Sequence, residues 1–145
     1  MQIEFKAFQE LSNQELYDMM KLRFDVFVLE QKCLYPEFDD IDAKATHLLI
    51  KVDEELAASA RLYRKSPRLA SFGRVVVDEV FRGKTFGRKL VKASVEYIRT
   101  NWEVNEILIG AQTQLNEFYS SFGFEDVGKE YDDAGIMHID MSLKL

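Results

Sequence analysis

The run from Val75 to Lys92 constrains this chain more than any other stretch of it. Val75, Val76 and Val77 are a β-branched run that reads as a buried strand. A basic, glycine-containing loop follows, Arg82-Gly83-Lys84-Thr85-Phe86-Gly87-Arg88. Leu90, Val91, Ser94, Val95 and Ile98 then fall at helical spacing, ending near Thr100, and Ile107-Leu108-Ile109 is another apolar strand. Strand, loop, helix and strand over 71–112 make a parallel crossover. Such a unit requires a sheet with a helix packed on its face.

The remaining segments supply the rest of that sheet. Ile3, Phe5 and Ala7 alternate with polar residues as a short strand. Ser12-Asn13-Gln14-Glu15 matches a capping box, and Leu16, Met19, Met20, Phe24, Phe27 and Val28 continue it as one helix over about 13–30. An acidic loop with Pro36 spans 34–45. Residues 47–52 and 56–63 read as strands around Asp53-Glu54-Glu55, a turn whose type stays open without Asn-Gly or Asp-Gly. Residues 115–122 form a short helix that Gly123 can end, and 124–127 and 136–143 are strands. The expected order is β-α-β-β-β-α-β-α-β-β. It describes one α/β domain over 1–145, a mixed sheet with helices on both faces.

Charge narrows the function. The formal net charge of −6 argues against general nucleic-acid binding, which needs a basic surface. No apolar stretch approaches the roughly 20 residues of a membrane helix, and the start does not read as a signal peptide. The single Cys33 fits a reducing cytoplasm and an inert thiol. Acids and bases are nevertheless segregated. Arg82, Lys84, Arg88, Lys89 and Lys92 stand together, as do Glu37, Asp39, Asp40 and Asp42. These are either solvated faces or separate sites for an anion and a cation.

A loop that runs from a buried strand into a helix presents unpaired N–H groups at the positive end of the helix dipole, where a phosphate can sit. Gly83 and Gly87 permit close backbone approach. A plain βα turn with a solvated basic helix is the other reading of the same residues. Gly83-Lys84-Thr85 copies the end of a P-loop, but that motif needs glycine where Asp78 stands. The dinucleotide fingerprint G-x-G-x-x-G is absent.

At these residues the chain resembles the GNAT superfamily of acyl-CoA N-acyltransferases, whose signature loop is commonly Q/R-x-x-G-x-G/A. Here it begins at Arg82 and ends at Gly87, with Thr85 in place of the usual middle glycine. The ElaA-like branch is similar along most of the length. Leu22-Arg23-Phe24-Asp25-Val26-Phe27-Val28-Leu29-Glu30-Gln31 stands in place of its L-R-x-x-V-F-V-x-E-Q helix. Further matches are Tyr35, Glu37, Asp39, Asp42, His47, Arg61 and Gly73-Arg74-Val75-Val76-Val77. Gly110-Ala111-Gln112, the run from Phe118 to Phe124, and His138-Ile139-Asp140-Met141 complete the pattern.

The resemblance implies a central sheet splayed between two parallel strands and an acetyl-CoA co-substrate, with no metal. The backbone of Val75 and Val77, with Val76 between them, would take the pantetheine arm. The amides of Gly83, Lys84, Thr85, Phe86, Gly87 and Arg88, with Arg82 beside them, would take the pyrophosphate. The reaction implied is direct attack by a primary amine of a small molecule or peptide, through a tetrahedral intermediate. Tyr119 matches the tyrosine that often protonates the departing sulfur, although it also fits a core aromatic. Glu30, His47 and His138 are candidates for the base or for substrate contact, and either histidine also fits a structural role. Arg74 points to an ion pair or to substrate. Glu37, Asp39 and Asp42 suit a cationic amine. No H-E-x-x-H or paired-Cys spacing supports a metal site. A homodimer is left open, and a non-catalytic CoA-binding sensor or interaction module on the same fold is the alternative.

Overall fold

Strand β1 (Gln2–Ala7) leads through a 3-10 turn to helix α1 (Asn13–Arg23). In the computed structural model, which describes residues 1–145, the capping box forms as expected: Ser12 Oγ accepts from the Glu15 amide at 3.0 Å, and Glu15 Oε1 accepts from the Ser12 amide at 2.8 Å. Glu15 also receives Lys6 and Lys51 at 2.7 Å each, so one carboxylate joins β1, α1 and strand β2 (Thr46–Val52). Burial would raise the pKa of Glu15, but the hydrogen bonds from Lys51, Lys6 and Ser12 outweigh it and hold the carboxyl at about 2, below its ordinary 4.5. Because the folded value is the lower one, this stabilisation is complete above pH 4.5 and is lost as pH falls towards 2. Urea midpoints measured across that window will fall steeply in the wild type and more shallowly in Glu15→Gln; parallel curves would refute the assignment.

The helix expected over 13–30 continues beyond Arg23, but Phe24–Glu30 is a π-helix. The Gln31 amide bonds the Val26 carbonyl at 2.8 Å, five residues back. A π segment marks a functional site more often than ordinary helix does. The acidic loop holds one more turn, α2 (Ile41–Lys44).

Strands β3 (Glu55–Ser66) and β4 (Leu69–Val77) continue the antiparallel run. Asp53 and Glu54 both adopt positive φ, 50° and 68°, so the β2–β3 hairpin has the backbone signs of a type I′ turn without its usual glycine. Helix α3 (Phe86–Asn101) crosses to β5 (Glu106–Gln112), which lies parallel to β4. The expected stripe Leu90, Val91, Ser94, Val95 and Ile98 is wholly buried. A 3-10 turn, α4 (Asn116–Ser120), β6 (Glu125–Asp133) and β7 (Ile136–Lys144) finish the chain. The strand expected over 124–127 therefore extends to Asp133.

The seven strands are ordered β1-β2-β3-β4-β5-β7-β6. The main core, 20 buried residues, lies between the sheet and α3. Leu22, Val26 and Phe27 of α1 and the π segment pack on Val76 from the other face. No helix is long and apolar enough to cross a membrane.

Two irregularities open the sheet near its middle. Between Ser59–Val76 and Arg61–Gly73, β4 carries one residue more than β3. Arg74 within this bulge has φ 49°. The β4–β5 ladder is confined to Leu69–Glu106 and Ala70–Ile107, at one end of the two strands. Beyond Ala70 the strands part, as a bulge that bends one strand away from its neighbour requires.

Candidate active site

The parting of β4 and β5 opens a cleft of about 270 Å³. Val75 of β4, Ile109 to Gln112 of β5, Tyr119 of α4 and His138 of β7 border it. From Ser71 to Val77 the edge of β4 that faces β5 carries no ladder partner. That edge leads through a 3-10 turn at Glu79–Phe81 to the start of α3.

The start of α3 is open. Thr85, its N-cap residue, makes no side-chain cap. The Lys89 amide bonds the Thr85 carbonyl at 3.1 Å, so the N–H groups of Phe86, Gly87 and Arg88 precede the first helical bond. Gly83 has φ 78°, and Thr85 has φ 66° and ψ 14°. The threonine thus takes the left-handed conformation that a glycine would hold without strain. Its hydroxyl bonds the Lys84 carbonyl at 2.5 Å and accepts from Lys89 Nζ at 2.9 Å. Thr85→Gly will raise stability by up to about 1 kcal/mol, the relief of left-handed strain less the entropy of glycine. A lower urea midpoint for this variant would show that the two hydroxyl bonds outweigh the strain.

Arg82 does not point at this anchor. It makes a two-pronged pair with Glu30, 2.9 Å on each oxygen, and its Nε lies 3.3 Å from the Val77 carbonyl. The hydrogen bond from Arg82 lowers the pKa of the Glu30 carboxyl, which suits an ion pair rather than a base. Arg88 lies over the Phe122 ring at 4.7 Å, and Lys84 over Phe81 at 5.8 Å. Phe86 is buried against Phe81, and the Val76 side chain is core.

The acidic loop is not an open cation site. Glu37 and Asp42 are buried on Arg23, itself 1% exposed: Arg23 Nε meets Glu37 at 2.8 Å, and its two terminal nitrogens meet Asp42 at 2.8 and 3.1 Å. Asp39 grips Arg61 at 2.6 and 3.0 Å, and Arg74 Nε meets Glu37 at 2.7 Å. Three arginines balance three carboxylates, so the expectation of Glu37, Asp39 and Asp42 as free ligands for an amine is corrected: the protein's own cations occupy them. Arg74 is the paired arginine of the two expected readings. Its guanidinium lies 5.0 Å over Tyr35 and borders the cleft.

His47 is 0% exposed, and its Nε2 lies 2.8 Å from the Asp42 carbonyl, so it donates there. Burial lowers its pKa and keeps the ring neutral. It lies outside the cleft and holds the acidic loop, which is a structural position. His138 is the opposite case. Its Nδ1 lies 2.8 Å from the Ile136 carbonyl, an acceptor, so Nδ1 carries a proton. In the neutral ring Nε2 then has the lone pair, and it makes no hydrogen bond within the protein while the residue borders the cleft.

Tyr119 sits in α4 among Phe72, Phe118 and Phe124, 6% exposed, and borders the same cleft. Burial alone pushes its hydroxyl up to about 12. The phenol is therefore a neutral donor at ordinary pH. Cys33 is buried, and burial raises the pKa of its thiol. No group of three His, Cys, Asp or Glu side chains is arranged to hold a metal ion.

Gly110, Gln112 and Asp140 match the family pattern without an expected role, and Tyr131 and Asp133 carry no sequence signal of their own; all five border the cleft. The available signal was Gly110 itself, a glycine inside an apolar strand, where a close approach is the usual reason.

Comparison with known proteins agrees with this architecture. Residues 8–145 match the acetyltransferase (GNAT) domain family. The chain is 38% identical over 137 residues to the protein ElaA of Escherichia coli, covering 92% of this chain and 90% of that one. It is 39% identical over 144 residues to a UPF0039 protein of Synechocystis, covering 97% and 94%. The crystal structure of Escherichia coli ElaA superposes with a TM-score of 0.90 at 34% identity, over 97% of both chains. An acyl-CoA N-acyltransferase of Pseudomonas aeruginosa superposes equally, TM-score 0.90 at 31% identity, over 98% of this chain and 99% of that one.

Proposed function

This chain belongs to the GNAT acetyltransferase domain family and to its ElaA-like branch, and from that premise we propose that it transfers an acetyl group from acetyl-CoA to a primary amine of a small molecule or peptide. The observation that carries the reading is the free edge of β4, which leads through the 3-10 turn and the loop after it to the uncapped start of α3. A pantetheine arm has the amide pattern to pair with such an edge, and a pyrophosphate suits the open N–H groups above it. Val75 and Val77 supply the edge. Gly83 to Arg88 supply the anchor, with Lys84, Arg88 and Lys89 as surrounding positive charge.

The thioester is already activated, so the chain's contribution is chiefly positioning. His138 Nε2 takes the proton that the amine must lose, and the Tyr119 hydroxyl gives one to the departing sulfur. Backbone N–H groups along the parted β4 stabilise the charge that develops on the carbonyl oxygen. Cys33, buried with its thiol kept protonated, favours direct transfer over an acyl-enzyme.

Calorimetric titration with acetyl-CoA, with ADP and NAD as controls, tests the co-substrate. Specific binding is expected, and Gly87→Glu will weaken it at least ~10-fold, about 1.4 kcal/mol. A Cβ at Gly87 meets only Phe118, at 3.8 Å, an ordinary contact, so the backbone there accepts a side chain and the change adds charge at the anchor. Undiminished affinity in the folded variant would remove the pyrophosphate from this loop. Absence of binding in the wild type would turn the assignment towards an interaction module.

A further inference from the structure

Gly110 does something that neither the acyl-CoA anchor nor the amine chemistry accounts for. A Cβ at this position would lie 2.8 Å from the Tyr131 hydroxyl and 3.7 Å from Asp140 Oδ1. Tyr131 belongs to β6, Asp140 to β7 and Gly110 to β5, and β7 lies between the other two strands. The tyrosine therefore reaches across β7 to β5, and its hydroxyl donates to Asp140 Oδ1 at 2.7 Å. Opposite residues explain the approach: Gly110 pairs with Asp140, and Tyr131 with His138.

On its way across, the Tyr131 ring stacks on the His138 imidazole, with centroids 5.9 Å apart and planes 23° from parallel. The register of β6 allows this. Between the Val127–Asp140 and Tyr131–His138 pairs, β6 advances four residues while β7 advances two, with Gly128 at φ 81° in the excess. Bulges of this kind re-aim side chains beside active sites.

We infer that Tyr131, bonded to Asp140 and admitted by the missing side chain of Gly110, is a positioning residue that fixes the His138 ring with Nδ1 on the Ile136 carbonyl and Nε2 turned to the cleft. The inference rests on the reading of His138 as the proton acceptor for its bearing on catalysis, but not for its geometry. Without the stack, nothing else in the structure bonds or stacks on the imidazole apart from the Ile136 carbonyl two residues away. Rotation about its side chain would break that single bond, and with it the constraint that keeps the proton on Nδ1.

Nitrogen NMR of the two histidines in the uniformly labelled chain tests this directly, with His138→Asn assigning the signals. At a pH where both rings are neutral, His138 in the wild type is expected as the Nδ1–H tautomer, with ring contacts to Tyr131. Gly110→Ala displaces the hydroxyl, so the Tyr131 contacts are lost and the signal moves towards the Nε2–H tautomer. Tyr131→Leu does the same without altering β5, which covers the case in which the glycine variant fails to fold. Adding Tyr131→Phe to Gly110→Ala removes the clashing oxygen but also the bond to Asp140, so the stack and the Nδ1–H tautomer return in part. A tautomer unchanged in folded Tyr131→Leu would overturn the inference, whatever happens to the melting temperature. Full turnover in His138→Asn would instead remove the base assignment and leave the NMR result standing.

Discussion

Arg23→Met will cost on the order of 3–5 kcal/mol of stability at neutral pH, because it leaves two buried carboxylates short of charge, Glu37 with Arg74 alone and Asp42 with Arg61 alone at 3.2 Å. Arg23 holds Glu37 and Asp42 at once, and it also donates to the Glu37 carbonyl at 2.9 Å. Methionine keeps much of the side-chain volume and removes only the charge and the donors. Domains of this size have total stabilities of about 5–15 kcal/mol, so the loss is a large fraction of the whole. Burial would raise the pKa of Asp42, but the Arg23 hydrogen bonds and the charges of Arg23 and Arg61 outweigh it, and the net shift is downward. A folded pKa below the unfolded one gives stability that is present above the ordinary carboxylate range and is lost on acidification. The gap between wild type and variant will therefore narrow at low pH, where the under-compensated acids can take protons. Urea midpoints at pH 7 and in acid measure this. A loss below ~1 kcal/mol at pH 7, the range of an exposed pair, would show that the network adds little.

Tyr119→Phe will lower kcat about 100-fold while leaving the affinity for acetyl-CoA unchanged, the signature of a proton donor used only in the chemical step. The hydroxyl, pushed up to about 12 by burial, stays protonated through the whole working range. It can still serve a leaving thiolate, because the proton moves as the C–S bond breaks and basicity builds on sulfur. The deficit should accordingly be similar at every pH from about 6 to 9, since no titration of Tyr119 intervenes there. His138→Asn should also lower kcat with co-substrate affinity intact. Any amine accepted by the wild type serves for both assays. Unaltered turnover in Tyr119→Phe would return that residue to the aromatic cluster of Phe72, Phe118 and Phe124 as a packing group.

The elements that sequence reading located well were those with strong local patterns. Ser12 and Glu15 marked a helix start that forms with both reciprocal bonds. The stripe from Leu90 to Ile98 named the buried face of α3. The π turn at Phe24–Glu30 was invisible, because apolar spacing over one or two turns barely distinguishes a π-helix from an α-helix. The acids at 37, 39 and 42 looked like a site because they are adjacent in sequence, whereas their partners, Arg23, Arg61 and Arg74, are spread over three other segments. A buried arginine needs an acid, so those arginines in apolar surroundings were the usable clue. Tyr131 was out of reach for a different reason. Its position depends on two extra residues in β6, and a register shift cannot be read from a strand whose alternation is weak.

The parting of β4 and β5 leaves a sheet that the polypeptide does not finish. The β4 amides that face the gap have no ladder partner, so those of Ser71 to Val77 that point there will exchange hydrogen readily although they lie mid-sheet. Any ligand that pairs with this edge becomes a missing strand. Its concentration then sets how firmly the two halves of the domain are joined, and melting temperature becomes a titration curve for occupancy.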